Sequence, residues 1–120
     1  MPKKAKFLKI LHVFFPMSCL KLLVKIGRRS RFISIMCGDR VIWRISMSGE
    51  NNQPRWFNEL ENMVAESGRM LKYRETYYRF QIPVATLYRI AQQLAIEYND
   101  GRLVKLAKLL EQLLKPTSTP

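Results

Sequence analysis

The sequence predicts a mainly α fold: a small helical bundle with a helix-turn-helix-like element and a C-terminal αα-hairpin, preceded by a basic N-terminal segment that carries a β-hairpin. Three observations predict it. Beyond Pro54, apolar residues recur at three- and four-residue spacings, the pattern of helices that bury one stripe. Asn99-Asp100-Gly101 separates two such stretches with a very short connection, which makes them an antiparallel pair. Between Phe32 and Ile45 the period changes to two around Gly38-Asp39, a hairpin signal. The expected divisions are residues 1–31 (basic and apolar), 32–46 (hairpin), 47–115 (helical domain) and 116–120 (disordered P-T-S-T-P tail).

From Phe7 to Val24 the chain is apolar and flanked by lysines and arginines. The run without Lys or Arg, Ile10 to Leu20, contains Pro16 and falls short of the roughly 20 residues that span a bilayer. No small-residue cleavage site follows it, so a secretory signal is disfavoured. Such a segment can lie on an anionic membrane surface with Phe14, Phe15 and Leu20 at the interface, or pack on the rest of the chain. In the hairpin, Ile33, Ile35, Val41 and Trp43 share one face, with Arg40 and Arg44 on the other.

Pro54 opens the first helix, whose stripe runs through Trp56, Leu60 and Met63. Ser67-Gly68 interrupts it. A second helical segment is read from Met70, Tyr73, Tyr77 and Phe80, with Lys72, Arg74 and Arg79 facing outward. The third helix, from Val84 to Tyr98, buries Val84, Leu87, Ala91 and Leu94. The last, Arg102 to Lys115, presents Leu103, Leu106, Leu110, Leu113 and Leu114. So many leucines suggest a homodimer or partner interface on that helix.

Within this frame F-Q-I-P-V-A-T-L-Y-R, Phe80 to Arg89, reads as a turn and second helix. Val84, Thr86, Leu87, Tyr88 and Arg89 match the V-S-T-L-Y-R string of the second helix in serine recombinases of the invertase and resolvase type, with Ala85 in place of the serine. The chain resembles that DNA-binding element over about residues 72–92 only, and nothing in it resembles a recombinase catalytic domain. The resemblance implies a DNA-binding element and no more; if it binds duplex DNA, the outer faces of these segments put Lys72, Arg74 and Arg79 on phosphates and Thr86, Tyr88, Arg89, Gln92 and Gln93 in or near the major groove. The alternative is that T-L-Y-R is one turn of an ordinary packed helix.

Charge agrees with a polyanionic partner. The net charge is +12 and the pI near 10.2; such a balance attracts nucleic acid or anionic membrane and says nothing of fold. Residues 1–46 hold eleven Lys or Arg against one acid, Asp39. The polar run from Met47 resembles a native amino terminus, so the sequence also admits a start at Met47 in place of Met1. Two cysteines, Cys19 and Cys37, make no disulfide framework and read as small buried hydrophobes. His12 is the lone histidine, so no metal site is expected. No glycine-rich phosphate loop, nucleophile elbow or H-E-x-x-H occurs, which predicts no enzyme, no cofactor and no small-molecule substrate. The expectation is a small cytoplasmic, non-enzymatic DNA-binding protein, regulatory or accessory to a mobile element. Its rivals are a protein-interaction module built on the leucine-rich hairpin and a peripheral membrane peptide using residues 1–31.

Overall fold

The computed structural model of the chain describes residues 20–46 and 53–115. The readings made on the apolar run up to Cys19, on the polar run from Met47 to Asn52 and on the P-T-S-T-P tail lie outside these residues. Three strands come first, β1 (Lys21–Gly27), β2 (Phe32–Cys37) and β3 (Arg40–Ser46). Helix α1 (Arg55–Ser67) follows, then β4 (Arg69–Tyr73) and β5 (Tyr77–Pro83), then α2 (Val84–Tyr98) and α3 (Gly101–Leu114). The strands make one antiparallel sheet in the order β3-β2-β1-β5-β4.

The mainly α expectation is therefore wrong: this is an α/β fold, with a five-stranded antiparallel sheet under three helices among the described residues. The error has a location. Residues 69–83, read as the first helix and turn of a helix-turn-helix, are the hairpin β4–β5, so no first helix exists to cross α2. Tyr78, Phe80 and Ile82 alternate with Arg79 and Gln81, a period of two that competes with the three-four spacing read from Met70 to Phe80. Pairing decides between them, because all seven residues of β5 register against β1, from Gly27↔Tyr77 to Lys21↔Pro83. Pro83 is the last residue of that strand and the N-cap of α2 at once, with ψ 144, so strand passes into helix without a turn.

β1 was likewise hidden inside the apolar amino-terminal stretch. Its alternation, Leu22, Val24 and Ile26 inward and Leu23 and Lys25 outward, is that of a strand with one buried face. The β2–β3 hairpin is present as expected, with Gly38 at φ +66 in its turn. Its register shifts after Ile35↔Trp43, so Val41, expected inward with Trp43, turns outward and is 48% exposed, while Ile42, the extra residue, packs against the core.

α1 and α2 pack on one face of the sheet, against β5, and α3 packs on α2. Leu22, Val24, Ile26, Ile33, Ile35, Phe80 and Ile82 meet Trp56, Phe57, Leu60, Leu87 and Leu94 in a single buried cluster. Gly68 ends α1 where any Cβ would lie 2.9 Å from the Val64 carbonyl oxygen and 3.1 Å from that of Gln81, so the helix-to-strand turn needs its bare backbone. α2 and α3 form the antiparallel pair foreseen from the sequence, with Asn99 in the left-handed conformation (φ 52). Leu103, Leu106 and Leu110 are wholly buried inside this one chain; of the five leucines expected at an interface, Leu113 is half-buried and Leu114 exposed.

Two polar clasps fix α1 to the hairpin of helices. Asp100 caps α3, accepting from the Arg102 backbone N–H at 2.9 Å and side chain at 2.9 Å, and from Trp56 Nε1 at 3.0 Å. Those donors, Arg102 foremost, hold its carboxyl well below the ordinary carboxylate range. Tyr98 donates to Glu59 at 2.6 Å, and this bond, then burial, pushes the phenol up to about 12. Because the folded-state pKa of Asp100 is depressed, its contribution is present above about pH 4 and lost as the pH falls further toward the folded value. Asp100→Ala is expected to cost about 1–2 kcal/mol at neutral pH, from the cap and the Trp56 bond together. It should also flatten the acid limb of a urea-midpoint-against-pH curve; an unchanged acid limb would show that this carboxylate is not what titrates.

Candidate functional site

None of the described helices covers the second face of the sheet, and its composition is unusual. The five strands carry seven Lys or Arg and no acid, whereas the three helices carry five of each. The positive charge of the described fold is thus a property of the sheet.

Register converts that composition into a pattern. Ser34 pairs with Arg44 and with Lys25, Lys25 with Arg79, and Arg79 with Lys72. Paired residues point to the same side of a sheet. Arg44, Ser34, Lys25, Arg79 and Lys72 therefore form one transverse row across all five strands, four cations at a strand spacing of about 4.8 Å. Ser34, the small member, is walled in to 3% exposure. Two residues along each strand lies a second row: Ser46 paired with Phe32, then Gly27 paired with Tyr77, and Arg74, whose N–H donates to the Tyr77 carbonyl at 2.8 Å. Gly27 is required here, because a Cβ would fall 2.2 Å from the Phe32 ring, which lies over the glycine.

Like charges directly opposite on neighbouring strands are destabilising. Among the described residues neither Lys25, Arg44, Lys72 nor Arg79 has an ion pair; the ion pairs there are Arg31–Glu61 and Arg102–Asp100, both on the helical side. Three of the four cations rest on aromatic faces instead. Lys25 Nζ lies 5.0 Å from the Tyr77 ring centroid, the Arg79 guanidinium 5.8 Å from the same ring, and that of Arg44 4.8 Å from Phe32. The Arg79 Nε is buried without a hydrogen-bond partner. Such a donor costs about 1–3 kcal/mol relative to a satisfied one. Other basic residues are spent on structure: Arg31 bonds Gln53 and Asn58, and Arg28 donates to the Tyr73 hydroxyl at 2.6 Å, tying the end of β1 to the β4–β5 hairpin.

Of the residues expected to bind, Lys72 and Arg79 lie in the cation row and Arg74 at the end of the aromatic row, all three brought there by strands. Thr86, Tyr88, Arg89, Gln92 and Gln93 belong to α2, in the other layer. Arg89, Gln92 and Gln93 are exposed, Thr86 is half-buried, and Tyr88 packs against the core. The two sets do not form one site. Lys25 and Phe32, which share these rows, were not singled out from the sequence, and Tyr77 was noted there only among tyrosines interleaved with basic residues, although the absence of any acid from the alternating runs K-L-L-V-K-I-G and Y-Y-R-F-Q-I was visible. Cys37 is buried as expected, but it is disulfide-bonded and not a free thiol. Among the described residues no cluster of His, Cys, Asp or Glu could hold a metal ion, and no helix is long and apolar enough to cross a membrane.

Comparison with family models, with curated proteins and with solved structures finds no match for this chain.

Proposed function

We propose that this protein binds nucleic acid through the face of its sheet opposite the described helices. The observation that carries the reading is the transverse row Arg44–Ser34–Lys25–Arg79–Lys72, four cations in one line, three of them on adjacent strands, with no acid on any strand. A fold that keeps like charges in register forfeits stability unless an anion neutralises them. A linear polyanion fits a linear row better than a compact anion does, because four of the five strands each offer one charge-assisted donor along a single line. The chemistry is non-covalent: lysine ammonium and arginine guanidinium groups donate to phosphate oxygens and release condensed counterions.

Anionic membrane is the competing polyanion, but Phe32 is half-buried with its ring packed at Gly27, not held out as an interfacial anchor would be. The helix-turn-helix route is set aside with the fold that required it.

The test is fluorescence anisotropy of the full chain with a labelled oligonucleotide across a salt series. Lys25→Ala and Lys72→Ala are each expected to lower the slope of log K against log salt by about 0.7–0.9, one phosphate contact apiece. Arg89→Ala, on the opposite layer, should leave affinity and slope within error of the parent. Loss on Arg89→Ala with Lys25→Ala silent would place binding on α2 and reject the sheet face. Binding to phosphatidylserine vesicles but to no oligonucleotide would assign the row to membrane.

A further inference from the structure

Resting on that reading, we infer that the ligand is single-stranded, with Phe32 and Tyr77 as base-stacking platforms beside the phosphate track. Width is the first argument. Five strands at about 4.8 Å put roughly 19 Å between the outer two, whereas the major groove is about 12 Å wide and admits a helix or a two-stranded ribbon. The whole row can meet phosphates together only on a strand laid across the sheet.

The second argument is the relation between the two rows. They lie on the same face, two residues apart along each strand, or about 6.7 Å. One row carries only cations and a serine, the other two aromatic rings separated by Gly27. A strand crossing the sheet along the cation row projects its bases to one side, over Phe32 and Tyr77. Paired bases in a duplex keep their faces stacked on each other and have none to offer.

The third argument is how the cations are held in the free protein. Lys25, Arg79 and Arg44 rest on the same rings that would receive bases. A cation–π contact, whether at exposed Arg44 or at half-buried Lys25 and Arg79, is weaker than a charge-assisted hydrogen bond to phosphate. Phosphate draws the cations off the rings, and the vacated faces accept bases. Charge and stacking are engaged by a single event.

The experiment uses the full chain and three probes of equal length: an oligothymidylate, a fully paired duplex, and a strand of the same phosphodiester backbone with abasic sites. The oligothymidylate should bind at least tenfold tighter than either of the others. Tyr77→Leu should lose about five- to hundredfold on the oligothymidylate, with an unchanged salt slope and little change on the abasic strand. Phe32→Leu should behave alike; since Phe32 also covers Gly27, circular dichroism is recorded for both variants and Tyr77→Leu decides. Equal binding of duplex and single strand, or no loss on Tyr77→Leu, overturns the stacking inference but leaves sheet-face binding intact. Binding of none of the three probes overturns both.

Discussion

Arg79→Glu is expected to abolish binding while leaving the fold as stable as before or more so. Arg79 stands between Lys25 and Lys72 in register, so a glutamate there turns two repulsive cross-strand pairs into two attractive ones, each worth about 0.2–1 kcal/mol. It also removes the unpaired Nε. The same change deletes one phosphate contact at the centre of the row and adds a negative charge beside the path of the ligand. We expect a loss of about hundredfold or more in affinity at low salt, with a melting temperature unchanged or a few degrees higher. Thermal denaturation and anisotropy on the same preparation provide the check. Most residues that matter to a fold destabilise it when reversed in charge; a gain in stability with loss of binding marks a residue held in place for a ligand. A lower melting temperature with binding retained would show that the row is structural.

A chain beginning at Met47 is expected not to fold. β1 is the middle strand of the sheet and the link between the β2–β3 and β5–β4 pairs. Residues 21–46 contribute Leu22, Val24, Ile26, Ile33, Ile35, Cys37, Trp43 and Ile45 to the buried cluster. At about 1.5–3 kcal/mol for each large apolar side chain, this exceeds the roughly 5–15 kcal/mol that a domain has in hand. What remains, α1, a two-stranded hairpin and the α2–α3 pair, would leave the inward faces of Phe80 and Ile82 without a neighbouring strand and the inner edge of β5 unpaired. The fragment should show no cooperative urea transition and should aggregate. A sigmoidal transition with native-like near-ultraviolet dichroism would overturn this. The experiment also bears on where translation starts, because a protein that requires β1 for its fold cannot function from Met47.

Both expectations rest on β1, which the sequence concealed best. Its residues, K-L-L-V-K-I-G, continue an apolar stretch whose composition suits a surface-bound helix as well as a strand. Nothing within seven residues states that two other strands will flank them. The α2–α3 pair was legible because its information is local: a three-four stripe, then Asn99 and Gly101 able to end one helix and begin another. α1 was legible for the same reason, from Pro54 at its start to Ser67-Gly68 at its end. β4 and β5 were misread because Met70, Tyr73, Tyr77 and Phe80 satisfy a helical spacing while Tyr78, Phe80 and Ile82 satisfy a strand spacing. Only the seven-residue register with β1 separates the two. The resemblance to a recombinase helix fell on α2 and drew Tyr77 into a preceding helix and Phe80 to Pro83 into a turn, whereas all of them lie in β5.

By itself the sequence determined that the chain is strongly basic and that its last two helices fold back on each other. These follow from composition and from contacts a few residues apart. Tertiary structure decided that the positive charge lies on a sheet and not on a recognition helix. It decided too that Lys25, Arg44, Lys72 and Arg79, which span 55 residues of chain, stand in one row. The physical reason is that a strand specifies its own alternation but not its neighbours. A row across five strands exists only once every register is set, and the registers are set by the burial of Leu22, Val24, Ile26 and their partners on the opposite face.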